Sequence, residues 1–531
     1  MTETEFKKYL WEAANNLRGS VDAATYKYPV LGLVFLKYIS DVFAAQRTVI
    51  AGRLADPKSD YYVAEEETRY AVLADFAEDR DFYTQDNVFW VPKDARYPTL
   101  LAQAAKPDLG QLLDGAIASI EKENPKLRGI LYRDFARLAL EKGKLGELMA
   151  IIAKMQFDSS AHGSRDVFGE VYEYLLGEFA IAEGKKAGQF YTARSVVRTL
   201  VAVLAPYEGR VYDPCCGSGG MFVYSEKFLD AHGGKRSKVS IYGQELSATT
   251  RKLASMNLAI RGIDYDLGHS YGDTFHNDQH PDLRADYVLA NPPFNMKNWG
   301  AAKLADDPRW QYGVPPEGNA NYAWLQHIVA RLAFTGRAGV VLANGSMTTA
   351  TGGEGSIREA MVRGDLVECM VALPGQLFAN TPIPVCLWFL SKDKDVGVNG
   401  TVDRRRQVLF IDARKLGKLL PDSRKQKALS SEDIDTIAGA YHAWRGTRWA
   451  PDTTYEDQPG FCKLVTLEDI EKQGFALTPG RYVGMPDAED DGVPFDEKMR
   501  KLTTELFEQM DEAVKLDAAI RKDMEALGYG E

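Results

Sequence analysis

The chain has 531 residues, 45% of them hydrophobic, which suffices to bury a large core and form two or three domains. Its five cysteines (215, 216, 369, 386, 462) are too few and too irregularly spaced for a disulfide framework or a metal cluster, so no metal and a reducing compartment are expected. With 64 basic against 75 acidic residues the net charge is -11, opposite to the basic footprint of a protein that grips nucleic acid unaided, so any such affinity must be borrowed from a partner.

The start, Met-Thr-Glu-Thr-Glu-Phe, has no basic or apolar leader region, and no apolar run in the sequence reaches membrane-spanning length, which predicts a cytoplasmic chain without membrane contact. Residues 1 to about 160 read as helices. Leu10, Leu17, Val30, Leu33, Val34 and Leu36 recur at helical spacing, and few runs look like strands. Ala161-His162-Gly163-Ser164 is a plausible hinge, after which Val167 to Leu176 resumes a helix.

From 189 to about 415 short apolar strands alternate with helical stretches, the pattern of a parallel or mixed sheet covered on both faces. Within it, Val211-Tyr-Asp213 runs into Pro-Cys-Cys-Gly217-Ser218-Gly219-Gly220 and then a helix starting near Met221. Glycines there let a ligand approach the backbone, and a helix N-terminus supplies N–H donors. Asp213 at the mouth of this loop would repel a pyrophosphate but attract the ammonium and sulfonium charges of S-adenosylmethionine. The run Val239 to Glu245 reads as the next strand, ending in a carboxylate able to accept both hydroxyls of a ribose, and Asp273, at the end of a third strand, could accept from an adenine amino group. Each acid alone also fits a cap or a solvated loop.

Asp286 to Ala290 then reads as a buried strand followed by Asn291-Pro292-Pro293-Phe294. An exocyclic amine or amide nitrogen is a poor nucleophile because its lone pair is delocalised, and two acceptors aimed at its two hydrogens pull that pair out of conjugation. The Asn291 side-chain oxygen and the Pro292 carbonyl are the candidates, with Pro293 holding the backbone extended and Phe294 offering a face for a planar ring. Taken alone, the tetrapeptide also fits a turn that merely ends a strand.

Further along, Gly339 to Asn344 is a strand, Thr351 to Gly355 a flexible loop, and Ser356 with Glu359 a capping box for the next helix. Leu366 to Leu373 and Pro384 to Leu390 look like the closing strands, with Gln376 to Thr381 between them as a loop near the substrate and Phe378 in the core. The basic run 404 to 427 reads by default as a solvated hairpin, with a phosphate-contacting edge as the alternative. From 494 to 528 apolar residues step by three and four (Phe495, Met499, Leu502, Leu506, Met510, Ala513, Leu516, Ile520, Met524, Leu527), so an amphipathic helix is expected that either seeks a partner helix or folds back on its own domain.

These motifs in combination resemble the S-adenosylmethionine-dependent amino-methyltransferases of DNA and, more narrowly, the modification (methyltransferase) subunit of type I restriction-modification systems. The likeness spans roughly residues 5 to 480. It includes Gly188-Gln189-Phe190-Tyr191-Thr192-Ala193-Arg194, similar to the family's cofactor-closing segment, and the amino-terminal pattern Leu10-Trp11, Leu17-Arg18-Gly19, Tyr26-Lys27 and Phe35 to Asp41. Ala193 departs from the family's usual proline. The resemblance implies that Gln189, Phe190, Tyr191, Thr192, Ala193 and Arg194 line the cofactor site. It places Ser218, Gly219 and Gly220 on the methionine portion and Glu245 on the ribose, with Asn291, Pro292 and Phe294 holding the target base.

The fold expected is α/β: a Rossmann-like S-adenosylmethionine-dependent methyltransferase sheet over 161–485, an all-helical domain over 1–160, and a helical tail for partner binding over 486–531. The activity expected is methyl transfer to the N6 amine of an adenine flipped out of double-stranded DNA. A separate specificity subunit, bound through the tail and the helical domain, would choose the sequence. The resemblance also implies a restriction (motor and nuclease) subunit and two copies of this chain per complex. No cysteine follows proline in the catalytic position, which argues against cytosine C5 methylation, whereas cytosine N4 stays chemically open and family usage favours adenine. Two rivals remain: a protein glutamine N5-methyltransferase, whose amide substrate suits the same geometry, and a catalytically idle scaffold that only clamps DNA.

Overall fold

A computed structural model describes residues 10–12, 14, 23–138, 143–154, 169, 171–179, 192–378, 381–397, 400–421, 423, 425–451, 453–485 and 495–526. The hinge at 161–164, together with Leu17 and Leu527, falls outside the described residues. The chain falls into two compact units, Met1–Val483 and Gly484–Glu531.

The regular elements of the amino-terminal part are all helices among its described residues. The 33-residue helix Ala23–Ala55 is its axis, and Leu109–Glu123, Lys144–Ile152 and the helix over 171–179 pack against one apolar core with it. By length and composition Tyr26–Ala55 could cross a membrane, which corrects the expectation drawn from the sequence. Lys37, Asp41 and Arg47 interrupt the apolar run on paper, yet most of the helix is buried inside this core.

The sheet that follows has nine strands. They are β1 (Gly209–Asp213), β2 (Val239–Gly243), β3 (Tyr265–Asp266), β4 (Ala285–Ala290), β5 (Leu332–Ala343), β6 (Val367–Ala372), β7 (Val385–Ser391), β8 (Gln407–Asp412) and β11 (Cys462–Thr466). A separate two-stranded ladder pairs β9 (Lys418–Leu419) with β10 (Lys427–Ala428). The sheet order is β11-β8-β6-β7-β5-β4-β1-β2-β3. β3, β2, β1, β4 and β5 run parallel, and β7 lies antiparallel between β5 and β6. This is the Rossmann-like α/β sheet the sequence predicts, and it reaches further: β8 and β11, rather than β6 and β7, close its edge.

Period-two alternation sorts the strand residues onto two faces. Val211, Leu289, Val341, Val371 and Leu387 meet the helices Arg194–Leu204 and Ser431–Arg445 on one side. Tyr212, Val288, Val340, Met370 and Trp388 meet Asn321–Arg331 and Glu354–Arg363 on the other. The expected capping box is absent. The helix begins at Glu354, two residues before Ser356, because Gly353 takes the left-handed N-cap position; Glu359 instead accepts from Arg363.

One polar cluster is buried in the β6 half of the sheet. Both Glu368 oxygens are engaged, by Arg404 Nε at 3.2 Å on one side and by Tyr441 Oη at 2.6 Å and Arg445 Nη1 at 3.3 Å on the other. Burial pushes this carboxyl up, but Arg445 and Arg404 outweigh it and hold it down at about 2. Removing such an anchor strands buried cations. Glu368→Ala is therefore expected to lose about 3–5 kcal/mol of stability at pH 7, read from the urea midpoint.

Candidate active site

The strand order reverses between β1 and β4, since β2 and β3 continue to one side of β1 while β4 and β5 continue to the other. At such a switch point the loops after the two strands part and leave a crevice at their carboxyl ends. Both principal sequence motifs leave the sheet there. A cavity of about 450 Å³ is lined by Asp213, Cys215, Gly217, Ser218 and Gly220 after β1, by Glu245 after β2, by Asp273, and by Asn291, Pro293 and Phe294 after β4.

The glycine turn is tightly tied. Gly217 and Gly219 have positive φ, and the helix Gly220–Ala231 starts directly after them. Gly217 N–H donates to Glu245 Oε2 at 3.1 Å, Cys216 N–H to the Gln244 carbonyl at 2.9 Å, and Asn257 Nδ2 to the Ser218 carbonyl at 2.8 Å. Asn257 in turn is held by Arg261, and Arg261 by Glu173 at 3.0 Å; Glu173 also pairs with Arg194 at 3.3 Å. These linked bonds connect the helix over 171–179 to the ligand-facing backbone, and the motifs alone did not reveal them.

Two carboxyls line the cavity under the turn. Asp213, at the end of β1, is buried and accepts from Cys215 N–H at 3.0 Å. Burial pushes it up to about 7, with Glu245 adding to the rise against the Cys215 N–H. Glu245, also raised by burial, accepts from Gly217 and from Ser247 N–H at 2.8 Å. β2 ends at Gly243, so Glu245 stands two residues beyond the strand. Asp273 is not at a strand end: β3 stops at Asp266, because it is a two-residue edge strand, and Asp273 lies in the following loop. Its Oδ1 accepts from Phe275 N–H at 2.8 Å. The Glu245 carbonyl holds Gly272 N–H at 3.0 Å, which brings this loop back to the cavity.

Across the crevice, Asn291 Nδ2 donates to Thr192 Oγ1 at 2.9 Å. That bond fixes the amide and leaves Oδ1 as a buried acceptor with no partner among the described residues. The turn is braced from below, where Asn295 N–H donates to Asn321 Oδ1 at 3.0 Å and Asn321 Nδ2 returns a bond to Asn295 Oδ1 at 2.9 Å. Phe294 is half-buried and meets Phe378 edge-on, 6.0 Å between centroids, so the segment ending at Phe378 touches the turn, and Phe378 is buried as expected.

Of the residues predicted from sequence, Asp213, Gly217, Ser218, Gly220, Glu245, Asp273, Asn291, Pro293, Phe294, Thr192 and Arg194 share the one cavity. Pro292, Ala193 and Gly219 are in the same turns but do not line it. Gln189, Phe190 and Tyr191 lie outside the described residues. Sequence reasoning missed Leu246, Met296, Lys297 and Trp324 in the lining. Trp324 Nε1 is a buried donor without a partner among the described residues, and it lies in the helix Asn321–Arg331 that follows the Asn291–Phe294 turn.

The N-6 DNA Methylase family profile matches residues 163–491, and the HsdM N-terminal domain profile matches residues 6–152. The chain belongs to the N-6 DNA methylase family. It is 49% identical over 428 residues to the type I restriction enzyme HindI methylase subunit of Haemophilus influenzae, covering 79% of this chain and 93% of that one. It is 38% identical to the MjaIX methylase subunit of Methanocaldococcus jannaschii, covering 99% of this chain and 92% of that one. The type I restriction-modification methyltransferase subunit from Streptococcus thermophilus superposes with a TM-score of 0.72 at 26% identity, covering 91% of this chain and all of that one. The chain is thus a site-specific adenine N6 DNA methyltransferase of the type I restriction-modification class.

Proposed function

We propose that Asn291, Pro292 and Phe294 hold an adenine flipped out of double-stranded DNA while Asp213, Glu245, Asp273 and the glycine turn hold S-adenosylmethionine beside it. The reading rests on one observation: the Asn291 amide is anchored through its nitrogen, and its buried oxygen is free to accept. The buried carboxyls Asp213 and Glu245, lining the same cavity, suit a ligand carrying an ammonium and a sulfonium, so the residues present fit that cofactor. When bound, S-adenosylmethionine supplies an electrophilic methyl group. Asn291 Oδ1 and the Pro292 carbonyl accept the two amine hydrogens and localise the nitrogen lone pair, Phe294 stacks on the ring, and Thr192 keeps the amide from turning over. Holding the nucleophile in line in a site already shaped for it accounts for most of the acceleration. Gln189 to Arg194 are assigned to the cofactor side, with Ser218, Gly219 and Gly220 on its methionine portion.

The chain's own net charge of -11 fits a subunit that borrows DNA affinity and sequence choice from a specificity subunit. The helix Phe495–Ala526 exposes Leu502, Leu506, Met510, Leu516 and Ile520 along one stripe, the surface we assign to that partner. A helical domain over 1–160, a catalytic domain over 161–485 and a tail over 486–531, in two copies beside a restriction subunit in the cytoplasm, complete the proposal.

Asn291→Ala should lower methyl transfer by about 10²–10³-fold or more with the S-adenosylmethionine Kd nearly unchanged, while Asp213→Ala and Glu245→Ala should weaken cofactor binding. Equal losses of cofactor affinity in all three would contradict this division, and unchanged methylation in the first would favour an idle scaffold. Since Asp213 must ionise to face a cation and is held at about 7, cofactor affinity should rise as pH climbs through about 7, with proton release on binding below it. Calorimetry in buffers of different ionisation enthalpy reads both. Truncation after residue 490 should abolish co-purification with the specificity subunit and leave cofactor binding intact.

A further inference from the structure

The basic run 404–427 is not uniform once its partners are seen. Arg404 is buried against Glu368, Arg405 pairs with Asp403 and Asp395, Arg406 with Glu468, and Arg414 with Asp412. Arg404 in particular corrects the reading of the whole run as solvated. Arg424 lies outside the described residues. Lys415, Lys418, Lys425 and Lys427 remain, and none makes an ion pair with a described residue; the first three are exposed and Lys427 is half-buried.

These four surround the β9–β10 hairpin, and the hairpin is pinned to the rim of the base cavity. Lys427 N–H donates to the Gln376 carbonyl at 2.9 Å, and Gln426 Nε2 donates to the Leu377 carbonyl at 3.4 Å. Phe378, the next residue, is the one that meets Phe294. Four ammonium groups with no ion-pair partner among the described residues thus stand one loop away from the aromatic ring of the catalytic turn, on a chain that is otherwise acidic. A hairpin serving only solubility has no need to be fastened at that place, and one that blunts a sheet edge would lie on the main sheet, whereas among the described strands β9 and β10 form a ladder of their own.

We infer that this hairpin grips the phosphates of the DNA strand flanking the base that enters the cavity. Leu419 and Leu420, exposed between the lysines, fit a surface that meets sugar as well as phosphate. The inference rests on DNA being the substrate, as proposed above.

The test uses the chain in its complex with the specificity subunit and a fluorescent duplex of about 40 base pairs, long enough to carry flanking phosphates on both sides of a site, with anisotropy read over a series of salt concentrations. Lys415→Ala, Lys418→Ala, Lys425→Ala and Lys427→Ala combined should raise the DNA Kd by about tenfold or more. The slope of log K against log salt should become shallower by about 0.9 for each phosphate no longer neutralised. The loss should be equal on a duplex carrying the methylated host sequence and on a random one, because phosphates carry no sequence. Cofactor affinity and subunit assembly should be unchanged, and the four Lys→Arg replacements should restore binding. An unchanged Kd and salt slope in a variant that still binds cofactor would overturn the inference, and so would loss of the specificity subunit, which would make the hairpin a protein-binding surface. A wild-type complex that binds no duplex at all would overturn it together with the reading of the substrate.

Discussion

A buried amide oxygen without a hydrogen bond destabilises a folded chain by about 1–3 kcal/mol, and this protein keeps one, unpartnered among the described residues, directly after β4. Asn291 can hold it there only because everything around the amide is already committed. Its nitrogen is taken by Thr192, the preceding strand is buried, and the following turn is clasped by Asn295 and Asn321. Relaxation would require breaking bonds in three separate segments. The acceptor is therefore pre-set, which is what the proposed role in localising an amine lone pair demands.

The opposite wall of the crevice shows the same restraint with charge. Asp213 and Glu245 are buried in the same cavity; desolvation raises both, and at Asp213 the neighbouring Glu245 adds to the rise. The glycine backbone moderates this by donating to Glu245, and Cys215 N–H does so for Asp213. The cationic cofactor proposed above would relieve what is left. Acceptors on one wall and acids on the other, separated by the fork between β1 and β4, give the cavity its polarity.

Much of this was legible in the order of residues. A strand followed by an acid and a glycine turn, and a strand followed by Asn-Pro-Pro-Phe, are local patterns whose meaning does not depend on distant neighbours, and the structure places both at one switch point. Features that depend on tertiary surroundings were harder to see. Ser356 and Glu359 match a capping box, but Gly353, just ahead of them, starts the helix first. β8 lies within the basic run that reads as a solvated hairpin and β11 beyond it, and both escape notice because the strands they pair with are far away in sequence. Arg404 reads as surface until Glu368, 36 residues back, is found beside it. The apolar helix near the start passes a membrane test because a thickly buried axis and a lipid-facing span share one composition.

The helix Ala248–Ile260 serves two masters. Leu253, Met256 and Ile260 belong to the apolar interior of the amino-terminal helices, whereas Ala254 and Leu258 belong to that of the sheet, and Asn257 between them holds the Ser218 carbonyl. Tyr38 and Tyr172 reach across to the carbonyls of Ile260 and Leu253. A single rod is thus a common wall of both compartments, so a tilt imposed on the helical bundle by whatever it embraces is transmitted along that rod to the peptide on which a methyl donor would rest.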